Sequence, residues 1–274
     1  MDFNLKQQRE VVALEAYGSS DLVGLVRRVF PTIQNGLAAF KDQFGQAPAI
    51  SITGDQKAFL RDTIAKRNYN TLEPLSAYVP EGLKVSFMEY ATTLFPAVEH
   101  AMGSVSVINT FATFLSTLVS NKASTLETAS MKRIYADLAK RRTELAQDVA
   151  KCFNNTTKTD VHVEDVIKRN SEWSTVFETV EALSKDINRI ERSLLQKKVA
   201  ECNDLLERIN RLIGEGHFEK ASPEVIMDLS DGAYQVAAEL EFYSVIYYRV
   251  QAFTVAVSRT MEHVEKSTKE KSPA

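Results

Sequence analysis

Apolar residues recur every three or four positions along most of this 274-residue chain. That is the period of an α-helix with one buried face. Residues 4–17 read as a short helix on Val11, Val12, Leu14 and Tyr17, ended by Gly18-Ser19-Ser20. Ser20 or Asp21 can cap the next helix, which carries Leu22, Val23, Leu25, Val26, Val29 and Phe30. Pro31 lacks a backbone N–H and breaks or kinks it; Ile33, Leu37, Phe40 and Phe44 then continue the spacing. Residues 49–52 read as extended, a helix follows to Arg67, and 68–83 are irregular around Pro74, Pro80 and Gly82. Ser86-Phe87-Met88-Glu89 has the form of a capping box, in which the hydroxyl accepts from a backbone N–H and the carboxylate reaches back. The helix it opens is the most apolar stretch of the chain, with a kink expected at Pro96. Another helix covers 126–153 and ends in the polar run Asn154 to Thr157.

The C-terminal part has the clearest pattern. Trp173, Val176, Val180, Leu183, Ile187, Ile190 and Leu194 alternate gaps of three and four; after a one-residue shift, Leu195, Val199, Cys202, Leu206, Ile209 and Ile213 resume the alternation. This is a heptad seam with one discontinuity, and it predicts one long helix over about 172–213. Gly214-Glu215-Gly216 stops it, and Ser222-Pro223 starts another with an N-cap hydroxyl and a proline at the first helical position. Val236, Leu240, Tyr243, Tyr247, Val250, Thr254, Val257, Met261 and Val264 form the second seam. Two such helices joined by a short turn predict an antiparallel coiled-coil-like hairpin. Phe242, Val245, Ile246, Tyr248 and Phe253 widen the apolar arc beyond what two strands need, so this helix is packed on more than one side. Phe242, Tyr243, Tyr247, Tyr248 and Phe253 are accordingly the candidate interaction residues, either as the core of one chain or as a contact between copies. The expected architecture is all-α: a multi-helix bundle with a small helical region at 1–83, central helices at 84–158 and the long hairpin at 159–274, the last two packed as one body.

Composition supports that class. Only 10 Gly and 7 Pro are present, too few for the tight turns of an all-β sandwich or barrel. Hydrophobic residues make up 44% and charged residues 25%, which excludes a disordered chain. The 33 basic and 36 acidic residues leave a net charge of −3, so net charge gives no support for nucleic-acid binding. Cys152 and Cys202 form no CxxC pair and point to a reducing compartment. The N-terminal MDFNLKQQREVV lacks an apolar signal core. Glu99, His100 and many Ser and Thr interrupt the apolar stretch 90–119, so no transmembrane segment is expected.

Chemical motifs are missing where the common reactions need them. There is no phosphate-binding GxxxxGK[ST], no GxGxxG after a strand, no GxSxG, no HExxH and no Glu-x-x-His. His162-Val163-Glu164-Asp165 reads as a helix start whose acids face the dipole, with a metal site as the sharper alternative. Acidic pairs such as Glu239/Glu241 read as solvated helix faces. Arg27-Arg28, and Lys132-Arg133 with Lys140-Arg141-Arg142, read as soluble faces or as contacts for nucleic acid or anionic lipid. No cofactor or metal is expected, and no enzymatic activity.

Residues 25–32, LVRRVFPT, and 75–83, LSAYVPEGL, together with the long helices, resemble structural or internal virion proteins of large tailed bacteriophages. The resemblance implies a non-enzymatic, multi-copy protein that oligomerises and docks other virion components, in the virion or the host cytoplasm. It transfers no functional residue. The alternative from the residues themselves is a membrane-surface or pore-forming helical protein, using 90–119 or 22–40 against lipid.

Overall fold

The computed structural model describes residues 83–120, 129–153, 163–169, 171–189, 192–215 and 223–270, with Gly54, Asp55 and Ala58. The helices expected over 4–17 and 22–44, the strand at 49–52 and the pair Arg27-Arg28 lie outside these residues. The described part is 92% helical and contains no strand, so the all-α class holds. In chain order the helices are α1 (Phe87–Ser120), α2 (Ala129–Lys151), α3 (Val163–Val166), α4 (Glu172–Arg189), α5 (Arg192–Gly214) and α6 (Pro223–Glu270).

The local start and stop signals work as the residue types dictate. Ser86 Oγ accepts from the Glu89 N–H at 3.2 Å, and Glu89 Oε2 accepts from the Ser86 N–H at 2.9 Å and from the Ser86 hydroxyl at 3.1 Å. Two otherwise unpaired donors at the start of α1 are thereby satisfied. Those hydrogen bonds, the backbone one first, hold the Glu89 carboxyl below its ordinary value. α1 continues through Pro96 for 34 residues. Over 172–213, where one long helix is expected, the described residues form two helices, α4 and α5, and residues 190–191 between them lie outside the described set.

The chain forms two compact units, to both of which α1, α2 and α6 contribute. The described first unit comprises 103–120, 129–142, 192–215 and 223–242. In it Ser104 meets Glu239 while Phe111 lies against Gly232, so α1 runs antiparallel to α6. Tyr135 lies against Gly232 and Arg142 meets Glu239, so α2 runs parallel to α6. Val199, Cys202, Leu206 and Ile209 of α5 are fully buried.

The described second unit contains 83–102, 143–153, 163–169, 171–189 and 243–270, with Gly54, Asp55 and Ala58. The chain before α1 is tied to the end of α2 by the Leu83–Phe153 bridge and by the Lys84 N–H donating to the Cys152 carbonyl at 2.8 Å. Phe87 and Tyr90 of α1 meet Phe253 of α6 edge-on, at centroid distances of 5.5 and 5.1 Å. Trp173, Val176, Val180, Leu183 and Ile187 of α4 are buried. Beside them Ser184 and Thr254 share a buried hydroxyl contact of 3.2 Å. Thr254 donates its only hydroxyl proton to the Val250 carbonyl, so Ser184 is the donor in that pair.

Candidate functional site

Two features stand out chemically, one in each unit. The first is a polar row inside the first unit. Asp228, Gly232, Gln235 and Glu239 follow one another on α6 at spacings of four, three and four, which places them on one helical face. All four are buried. Glu239 is completely so, and three helices converge on its carboxylate. Oε1 accepts from Arg142 Nη1 of α2 at 2.6 Å and from Gln235 Nε2 at 2.8 Å, and Oε2 accepts from the Ser104 hydroxyl of α1 at 3.2 Å. Arg142 keeps 13% of its side chain exposed, against 1% for Glu239.

This corrects the expectation that Glu239 lies on a solvated face. Its neighbours three and four residues away, Gln235, Val236, Phe242 and Tyr243, are all buried. A charge at that phase must enter the core with its partner. Arg142, grouped in the sequence with Lys140 and Arg141, turns inward to supply it, while Lys140 and Arg141 stay exposed.

Two turns back along the same row, Gly232 makes room for two aromatic rings. A Cβ there would stand 2.8 Å from the Phe111 ring and 3.3 Å from the Tyr135 hydroxyl oxygen. Burial, then the nearby Asp228 and Cys202, push the Tyr135 phenol up to about 12. Burial likewise pushes the Cys202 thiol up to about 12, and its sulfur lies 3.9 Å from the Ile108 carbonyl oxygen. A thiol so protonated is a poor nucleophile and a poor metal ligand. Among the described residues no group of three His, Cys, Asp or Glu side chains could hold a metal ion. The arrangement is suited to fixing α1, α2 and α6 in one register.

The second feature lies on α6 in the second unit. Tyr243, Tyr247 and Phe253 are buried there, Tyr247 meeting Tyr243 at 6.4 Å and Tyr248 at 5.8 Å between ring centroids. Phe153 packs edge-on against Tyr90 and carries the Arg249 guanidinium 4.2 Å above its ring. Phe242, at the edge of the first unit, is also buried. Of the five aromatic residues singled out in the sequence, four therefore belong to the core of the chain, and Tyr248 is 45% exposed. It does not stand alone. Val245 is 46% and Val255 42% exposed, and Ala252 between them is exposed too. At spacings of three, four and three, these four residues form an uncovered apolar row on one side of the helix.

α1 also carries a distinction the sequence pattern understated. Glu99 is exposed and His100 buried, both in the first half of the helix. From Gly103 to Ser120 there is no Asp, Glu, Lys or Arg. By length and composition α1 is able to cross a membrane, and less than half of its most apolar stretch is buried. Comparisons with protein-family models, curated proteins and solved structures find no match to this chain.

Proposed function

We propose that this protein is a non-enzymatic structural or assembly protein, present in many copies in a phage particle and acting through helix-mediated oligomerisation and partner docking. The supporting observation is the uncovered row Val245, Tyr248, Ala252 and Val255. Its three-four-three spacing is that of a coiled-coil seam, which a helix from a second copy can enter. The row is about 15 Å long and covers less than the roughly 800 Å² per partner of a standard interface. So small a contact gains strength by repetition, as in a multi-copy assembly. The phage setting rests on the resemblance carried by 25–32 and 75–83. The C-terminal coiled-coil-like hairpin is part of the same proposal, supported by the buried seams of α4, α5 and α6. Tyr248→Glu tests the row. The variant should keep wild-type helicity and melting temperature but lose native mass; an unchanged mass in an assembling protein would remove the row from the contact.

A second reading, a membrane-surface or pore-forming helical protein, is favoured by the length and composition of α1. Flotation with lipid vesicles tests it: a chain of this kind rises with the vesicles, and one that stays at the bottom of the gradient does not act on membranes.

A further inference from the structure

We infer that Gly103–Ser120 is the stretch that enters a lipid bilayer, with a lipid surface as its partner; this rests on the membrane reading. The segment has 18 residues and a helical length of about 27 Å, which matches a hydrocarbon core of about 30 Å. Its outer face in the first unit consists of Gly103, Ser106, Asn109, Thr110, Thr113, Ser116 and Ser120, all exposed and none charged. The neighbouring helices of the same unit differ. α2 exposes Arg133, Asp137 and Lys140, and α5 exposes Lys197, Glu201 and Glu207. A solvent-facing helix surface ordinarily carries such charges, because they keep it soluble. Five turns without one distinguish this helix.

Four hydroxyls of the segment are already prepared for a dry environment. Thr110, Thr113, Thr117 and Ser120 each donate to the carbonyl four residues earlier, at 2.9 Å in every case. Helical backbone bonds satisfy the main chain, so these side chains bring no unsatisfied donor into hydrocarbon. Asn109 keeps an amide that pairs across an interface, as polar residues do between membrane helices, and small residues four apart let such helices approach closely. The opposite side, with Ile108, Phe111, Leu115 and Leu118, is buried in the unit. Lipid tails are as apolar as the core it would leave.

The native Cys202 reports the step, because it is buried with its sulfur against the Ile108 carbonyl. The experiment uses the full chain with Cys152→Ser and vesicles of phosphatidylcholine and phosphatidylglycerol. Flotation reads membrane binding, and maleimide labelling of Cys202 reads departure of the segment. The expected result is flotation with Cys202 labelled only when vesicles are present. Adding Thr113→Asp, an exposed site, should leave helicity and melting temperature unchanged while reducing vesicle-dependent labelling about tenfold or more, since a mid-bilayer carboxylate is strongly disfavoured. Flotation with Cys202 still protected, or with labelling indifferent to Thr113→Asp, overturns the inference and leaves the membrane reading standing. Absence of flotation overturns both, and self-association without flotation assigns the uncharged face to a second copy instead.

Discussion

Removing Arg142 tests the polar row most sharply. Arg142→Met keeps the length and most of the packing of the side chain but withdraws the charge 2.6 Å from Glu239. The carboxylate left behind has 1% of its side chain exposed, so water cannot replace the guanidinium. Gln235 and Ser104 remain as neutral donors. Breaking a buried pair from one side costs about 3–5 kcal/mol, mostly as the penalty of an uncompensated charge. Glu239→Gln is milder, because Arg142 is 13% exposed and can turn toward solvent; about 1–3 kcal/mol fits the loss of charge-assisted hydrogen bonds. The double variant Arg142→Met/Glu239→Leu removes both charges and should recover most of the loss, or exceed the wild type. Urea unfolding of these proteins together with the single variant Glu239→Leu closes a double-mutant cycle, with unchanged m-values confirming that the same surface is exposed. A cost below about 1 kcal/mol for Arg142→Met, the range of a surface ion pair, would mean that Glu239 is not held as a desolvated carboxylate dependent on Arg142.

Three further outcomes follow from particular contacts. Gly232→Ala gains up to about 1 kcal/mol of helix propensity. It must also drive a methyl to 2.8 Å from the buried Phe111 ring, and overpacking of about 1–3 kcal/mol should win, so a raised melting temperature would contradict the close approach. Phe253→Ala should cost about 3–5 kcal/mol by emptying the space between Phe87 and Tyr90, while Tyr248→Ala should change chemical stability little; equal losses would contradict the assignment of core and surface. The Glu89 carboxyl titrates below its ordinary value of 4.5 because of Ser86. A depressed folded value means that its contribution is present above the unfolded value and is lost as pH falls through the folded one. In Ser86→Ala the titration midpoint, read by NMR, should move part of the way up toward 4.5, since the backbone N–H remains; no movement would remove the hydroxyl from the cause.

The helices were legible in the sequence wherever one apolar face repeated. Trp173 to Ile187, Val199 to Ile209 and Val236 to Met261 were placed by spacing alone, because burial of large side chains dominates their energetics. The cap at Ser86 and Glu89 was legible because two residue types three apart satisfy defined backbone groups. Glu239 was not, since a charged residue reads as solvated until its partner is known, and Arg142 lies 97 residues away. Its apolar neighbours three and four positions off were the available signal. Gly232 was a further one, since glycine inside a helix is unfavourable unless something needs the space. The split of the five aromatic residues between core and surface was beyond a single helical pattern, because an arc as wide as that of α6 does not say which edge another helix covers. The uncharged face of 103–120 was visible as sequence but gained meaning beside the charged faces of α2 and α5.

The native mass of the full chain, measured by light scattering across a wide concentration range, tests the assembly reading most directly. A defined oligomer, or a mass that rises with concentration, is expected, with a return toward monomer when Tyr248→Glu interrupts the row on α6. A monomer at every concentration would contradict it.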